Sequence, residues 1–345
     1  MLSAIPELRD PSGFLPSIQA KAKLVEDGFA AGKAGATAKL QPAGLLIAGM
    51  GFSGLGADVA MDACSRVMDV PVAIVKHYQV PRHARKGWHV LAVTYSGETE
   101  ETLAVTKAAV ARDLGVTAFT TGGAVAKLVP HVVPQPPGFQ PRAAFAFTWF
   151  SLLGFLEGAG LLAEPVPVRE AAAAVRAVDQ ACGPDVPEER NEARQLARKL
   201  LAPIPQIYAS PALHGIGLHF RSMLNENAKK IADCDLLPEC NHNDLTGWGG
   251  DLANRRHFAV LCLSHGAQNP QLQKRVDYMR QRYGEWGVPW LDRRAGPITD
   301  FKSHVVEQAR LMQFLDYTSV YVAQLKGEDP AEIREIKALK AHLKA

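Results

Sequence analysis

The chain has 345 residues, 47% hydrophobic and 21% charged, with 38 Lys+Arg against 35 Asp+Glu for a formal net charge of +3. That apolar share excludes a disordered chain, the near-neutral balance excludes a sequence-independent nucleic-acid binder, and the length suits about two domains. No stretch approaches the roughly 18 continuous apolar residues of a membrane span, and the opening MLSAIPELRDPSGF lacks the basic start and apolar run of a secretory leader. The expectation is a cytoplasmic enzyme or ligand sensor.

Residues 14–33 carry apolar side chains at helical spacing and read as an opening helix. GLLIAG (44–49), fenced by Pro42 and glycines, predicts a buried strand, with a helix from Leu55 onward. Further strands are expected at 70–76, 88–96 and 115–121, the last two separated by a helix that Gly115 stops. Residues 124–141, rich in Pro and Val, read as an irregular loop, and 145–162 (FAFTWFSLLGFLEGAGLL) as a buried helix whose aromatics are core. AEPVPVREA, from Ala163, begins a linker, and CGPDVPEERN is a second break. The alternation then resumes with a strand at 205–212, a helix at 213–230, a strand at 257–264, a helix at 269–287 and a short strand in VPWLD. Helices at 305–324 and 330–343 close the chain. Strands alternating with helices imply an α/β fold of two doubly wound halves, each a parallel sheet flanked by helices. The expected boundaries are a helical segment 1–39 and units 40–163 and 164–345.

Five cysteines (Cys64, Cys182, Cys234, Cys240, Cys262) are odd in number and widely spaced, so they read as free thiols in a reducing compartment, with Cys262 in the core. Eleven His lack metal-ligand spacing, and no metal or cofactor is expected.

Two loops follow strands of the first half: GMGFSGLG (49–56) and TYSGETEET (94–102). In an open parallel sheet such loops converge at the carboxyl ends of the strands. Glycines such as Gly51 let backbone approach a ligand, Ser53, Thr94, Ser96 and Thr99 offer hydroxyls, and the helix starts offer N–H groups to an anion. Gly49, Gly51 and Gly54 also fit part of a dinucleotide motif. The strand at 70–76, however, ends in Lys76 and His77, with Asp69 at the wrong end to hold a ribose. Either loop alone is what tight turns and helix caps produce; the pair favours an anion site.

In the second half, Asn225-Glu226-Asn227-Ala228-Lys229 and Leu237-Pro238-Glu239-Cys240-Asn241-His242-Asn243-Asp244 carry the candidate acid–base groups. Glu226 stands four residues before Lys230, as in a surface helix pair, and Glu239 is a rival base three residues from His242. The residues alone do not choose between the two carboxylates. His242 among asparagines reads equally as an exposed loop, Arg142 as cover for the following apolar helix, and Lys340 as one of several surface lysines.

Residues 94–102 and the Gly-rich loop resemble the sugar isomerase (SIS) domain, departing at Thr94, which keeps a hydroxyl, and at Glu98, where Asn is frequent. With GFQPRAA (138–144), NENAK, PECNHN and Ile336-Lys337-Ala338-Leu339-Lys340, the chain from about residue 40 resembles the bifunctional phosphoglucose/phosphomannose isomerases. Ala209-Ser210-Pro211 stands where that family often has Gly-Ser-Gly. The resemblance implies a cofactor-free aldose–ketose isomerase interconverting glucose 6-phosphate and mannose 6-phosphate with fructose 6-phosphate through a cis-enediol(ate). It implies Glu226 as the base between C2 and C1, His242 at ring opening, Arg142 beside the enediolate and Lys340 at the ring oxygen. Gly51, Ser53, Thr94, Ser96 and Thr99 would hold the phosphate. It further implies a homodimer in which His242 of the partner subunit completes the site, and the apolar helix 145–162 is compatible with an interface. Glu98 is expected to point away from the phosphate and Phe52, replacing a Gly, to narrow the pocket. The alternatives are a single-activity glucose-6-phosphate isomerase, a non-catalytic phosphosugar-binding regulator and, least, a nicotinamide dehydrogenase.

Overall fold

The computed structural model describes residues 10–343; the first nine residues of the 1–39 segment, with most of the opening stretch read against a leader, and the last two of 164–345 lie outside the described residues. The opening helix is in two pieces, α1 (Leu15–Gln19) and α2 (Lys21–Gly35). Asp10 starts α1 by accepting the N–H groups of Phe14 and Leu15, both at 2.7 Å.

Then come β1 (Gly44–Gly49), α3 (Gly51–Cys64), β2 (Val72–Val75), β3 (Trp88–Val93), α4 (Glu100–Ala111), β4 (Gly115–Thr120), α5 (Gly123–Leu128) and β5 (His131–Pro134). All five strands are parallel, in the order β2-β1-β3-β4-β5. β1 lies inside the sheet and every residue of it is buried, which is why it reads as an unbroken apolar run. Residues 124–141 are not one irregular loop: they contain most of α5 and the whole of β5, a four-residue edge strand ending in Pro134. Such a strand is too short to show a period, and an edge tolerates its proline. α3 likewise starts at Gly51, four residues before Leu55, because three glycines in its first two turns mute the helical signal.

α6 (Phe145–Gly158) closes the first half, and the second half runs α7 (Val168–Cys182), α8 (Glu192–Leu201), β6 (Ile204–Ala209), α9 (His214–Ala228), β7 (Asp233–Leu236), α10 (Asp244–Gly250), β8 (Phe258–His265), α11 (Pro270–Glu285), β9 (Trp290–Ala295), α12 (Phe301–Lys326) and α13 (Arg334–His342). Its sheet is parallel, in the order β7-β6-β8-β9. The linker expected from Ala163 is short, since α7 begins at Val168 and buries Ala171, Ala172 and Ala174.

One continuous apolar core lies between the two sheets, built from α2, α3, α6, α7, α9 and α12; smaller clusters cover the far face of each sheet. α6 is buried along twelve of its fourteen residues, Trp149 and Phe150 at 0% exposure, so its apolar surplus is covered within the chain, as the buried-helix reading expects. α2 and α6 approach closely because Gly28 and Gly32 face α6: a Cβ at Gly32 would lie 2.8 Å from the Ser151 Cα, and one at Gly28 2.8 Å from the Phe147 Cα. All five cysteines are buried and free, Cys262 at 0% exposure. No helix among the described residues is long and apolar enough to cross a membrane.

Candidate active site

In the first sheet β1 and β3 are neighbours, with Gly49 registered against Val93, so the loops that follow them leave the same edge side by side at the point where the strand order reverses. Gly51 opens α3 at φ +51°, and Ser53 follows in the first turn, nearly buried. In the second loop Thr94 is buried and donates to the Thr99 hydroxyl at 3.0 Å, and the Ser96 hydroxyl accepts the Glu98 N–H at 3.2 Å. Gly97, at φ +72°, lies against the Gly122 carbonyl. Thr99 stands at the N-cap position of α4 without a side-chain capping bond, and α4 carries Glu100 and Glu101 in its first turn.

The Glu98 carboxylate accepts the Ala124 N–H at 2.8 Å and is thereby committed to the start of α5, where a negative group is favoured. Phe52 does not line the loop as expected. It is 4% exposed, turned into the core against Phe145 (6.2 Å between ring centroids) and His219 (5.5 Å).

Glu226 lies in the last turn of α9. The helix stops because Lys229 adopts a left-handed conformation (φ +47°), rare for a residue with a side chain. Lys229 Nζ donates to the carbonyls of Asn227, at 3.2 Å, and Asp329. Lys230 points elsewhere, to the Leu201 carbonyl at 2.9 Å, so the surface pair with Glu226 does not form. Glu226 is paired instead with Arg142, whose side chain is 1% exposed. Each guanidinium nitrogen is engaged: Nη1 donates to Glu226 Oε2 (2.9 Å), Nε to Asn227 Oδ1 (2.7 Å) and Nη2 to the Pro330 carbonyl (2.6 Å), with the Phe14 ring 4.9 Å away. Asn227, fully buried, also donates to the Ser319 hydroxyl at 2.9 Å.

Burial raises the Glu226 pKa above the ordinary carboxylate value, opposed by the charges of Arg142, Lys340 and Lys229. Burial likewise lowers Lys229, with Arg142 adding to it. Three cations therefore surround one proton-hungry carboxylate, a setting suited to taking a proton from carbon and stabilising the resulting anion.

Lys340 acts on Glu226 through its charge, with no ion pair between them among the described residues, whereas Arg142 and Glu226, 84 residues apart, are brought together. His242 is not: it is exposed in a single turn (Glu239–His242) after β7, and no hydrogen bond or ion pair among the described residues joins it to Glu226 or Arg142. Glu239 is exposed in the same turn, with no cation paired to it among the described residues. The sequence reading missed the roles of Asn227 and Lys229, although NENAK contained both, and of Phe14, for which an aromatic in the opening helix gave no signal.

Residues 189–343 match the family Bacterial phospho-glucose isomerase C-terminal SIS domain. The chain is 30% identical over 308 residues to the bifunctional phosphoglucose/phosphomannose isomerase of Pyrobaculum aerophilum, covering 87% of each chain. It is 26% identical to the protein of the same name from Aquifex aeolicus, covering 87% of this chain and 90% of that one. Among solved structures, a hypothetical protein from Thermus thermophilus has the same fold, with a TM-score of 0.74, 15% identity and coverage of 97% of this chain and 91% of that one.

Proposed function

The chain belongs to the bifunctional phosphoglucose/phosphomannose isomerase family and is a sugar-phosphate isomerase, and from that premise we propose that it converts both glucose 6-phosphate and mannose 6-phosphate to fructose 6-phosphate, reversibly, through a cis-enediol(ate). The observation that carries this reading is the Glu226 carboxylate, its proton affinity raised by burial while Arg142, Lys229 and Lys340 surround it with positive charge.

In this reading Glu226 removes the C2 proton of the open-chain aldose and delivers it to C1. Its raised pKa makes it a stronger base than an exposed carboxylate. The cations favour the enediolate more than the neutral sugar, which is what lowers a barrier. Arg142, with its whole fork engaged, acts mainly by orienting Glu226 and through its field; Lys340, exposed on α13, is free to reach the ring oxygen. The phosphate is held by the Gly51 and Ser53 loop and by Thr94, Ser96 and Thr99, so that binding energy at one end of the sugar positions the carbons at the other.

Glucose and mannose 6-phosphate differ only at C2, and rotation about C2–C3 presents either C2 hydrogen to one base. The exposure of His242, apart from the Glu226 cluster of its own chain, supports ring opening by His242 of the partner subunit in a homodimer. The same reading divides the chain into a helical segment 1–39 and SIS units 40–163 and 164–345.

The test is turnover of each aldose phosphate, with and without EDTA, reading fructose 6-phosphate directly. Conversion of both supports the proposal. Conversion of glucose 6-phosphate alone makes this a single-activity isomerase, and binding without turnover makes it a regulator.

A further inference from the structure

Three ionisable side chains meet at 0% exposure in the core between the sheets: Lys21 from the first turn of α2, His219 from α9 and Asp316 from the middle of α12. Lys21 Nζ is paired with Asp316 Oδ2, and His219 Nε2 lies 2.6 Å from Asp316 Oδ1. Charges this deep survive only when compensated. One lysine cation and one aspartate anion already balance, so a neutral His219 with its proton on Nε2 keeps the cluster uncharged and donates to Asp316. Its Nδ1 is then an acceptor, buried and without a partner among the described residues. An apolar trio of the same volume would fill this space without any such requirement.

The cluster touches both ends of the site. On one side the His219 ring lies 4.1 Å from the Phe145 ring and edge-on to Phe52, whose neighbours in the chain are Gly51 and Ser53 of the phosphate loop. On the other, Ser319 donates to the Asp316 carbonyl at 2.7 Å and accepts from Asn227, which in turn holds Arg142 Nε. His219 and Glu226 are seven residues apart on α9, two turns or roughly 10 Å along the axis.

We infer that Lys21, Asp316 and His219 are positioning residues: together they hold the Gly51–Ser53 loop in register with the Arg142–Glu226 pair, so that phosphate and reacting carbons are gripped at the correct separation. This rests on the isomerase reading of the site, and it makes the opening helical segment part of the catalytic apparatus through Lys21.

The experiment measures the dissociation constant of inorganic phosphate by titration calorimetry, KM and kcat for fructose 6-phosphate, and the thermal midpoint. It compares wild type, Lys21→Met/Asp316→Leu (which removes both charges together), His219→Leu and His219→Gln. The double variant and His219→Leu should stay folded with a phosphate dissociation constant and KM raised about tenfold or more, since small displacements of a binding group are costly. His219→Gln, whose amide can donate to Asp316, should recover to within about threefold of wild type. Phosphate binding and KM within about twofold of wild type in a folded His219→Leu would overturn the inference, as would a His219→Gln no better than His219→Leu. If the double variant does not fold, the two His219 variants decide. A wild type that binds phosphate without turnover sinks the isomerase reading alone, and the phosphate constants still decide this one.

Discussion

Replacing Arg142 with Leu separates the electrostatic account of Glu226 from a merely structural one. The guanidinium nitrogen is 2.9 Å from the Glu226 oxygen, with side-chain exposures of 1% and 24%. At an effective dielectric near 20, unit charges at such a separation interact by about 6 kcal/mol, on the order of four pKa units. Glu226 retains solvent contact and keeps Lys229 and Lys340, so the net rise on losing Arg142 should be about one to two units.

In the proposed reaction the ionised carboxylate is the working base, so activity should fall as pH drops through its pKa. The acid limb of kcat/KM for fructose 6-phosphate should therefore move to higher pH by that amount. The folding linkage has the same origin. Glu226 in the folded chain is raised above its ordinary value of 4.5, so between that value and the folded pKa the folded chain holds more protons than the unfolded one. This group's contribution to stability is therefore present below 4.5 and lost as pH rises through the folded pKa, and the variant should extend the loss upward. Removing one partner of a buried pair also costs about 3–5 kcal/mol, so the profile is to be taken well below the variant's thermal midpoint. Arg142→Lys, which keeps the charge but not the fork, should leave the acid limb near wild type with a reduced kcat. An acid limb unmoved or moved downward in folded Arg142→Leu would refute the reasoning.

Further consequences concern the loops and the core. Gly97→Ala places a Cβ 2.8 Å from the Gly122 carbonyl carbon at a positive φ, and should raise KM for the sugar phosphate about tenfold, with a smaller effect on kcat. Gly32→Ala forces α2 away from α6 and should lower stability by about 1–3 kcal/mol in urea denaturation, with KM unchanged in the folded fraction. Asp62, whose pKa burial raises from 3.8 to about 7 despite the Gly215 N–H at 2.7 Å, makes folding less favourable as pH rises through that window. Asp62→Asn cannot ionise, so its thermal midpoint should gain on wild type as pH rises from 3.8 to about 7; a constant difference across that range would show that Asp62 does not titrate there.

How much was legible in the sequence depended on the signal each element leaves. Strands buried on both faces, such as β1 and β8, are unbroken apolar runs and read correctly to within a residue or two. The four-residue strands β5 and β7 were not foreseen. β5 hides in a stretch whose many prolines, Pro134 and those of PQPPGFQP, read as loop, and β7, Asp-Cys-Asp-Leu, carries too few apolar residues to mark a strand. The two loops proposed to hold the phosphate were legible as hydroxyls and glycines after neighbouring strands, but the place of Phe52 was not: only the packing of Phe145 and His219 decides that its ring turns inward. Between Glu226 and Glu239 the residues alone could not choose. The fold sets Arg142, 84 residues earlier, against Glu226 and leaves Glu239 in solvent, and the proposal of Glu226 as the base rests on that difference. The buried Lys21–Asp316–His219 cluster spans 295 residues and leaves no local trace at all.

The central claim is that Glu226 carries a proton between C2 and C1. Fructose 6-phosphate incubated with the enzyme in D2O, with the deuterium content at C2 of the aldose phosphates read by NMR, tests it most directly, in wild type and Glu226→Gln side by side. The account predicts deuterium at C2 of both glucose and mannose 6-phosphate with wild type, and a loss of turnover and labelling together in a folded Glu226→Gln that still binds phosphate. Labelled product formed by Glu226→Gln at an undiminished rate would contradict it, and the base would have to be sought elsewhere.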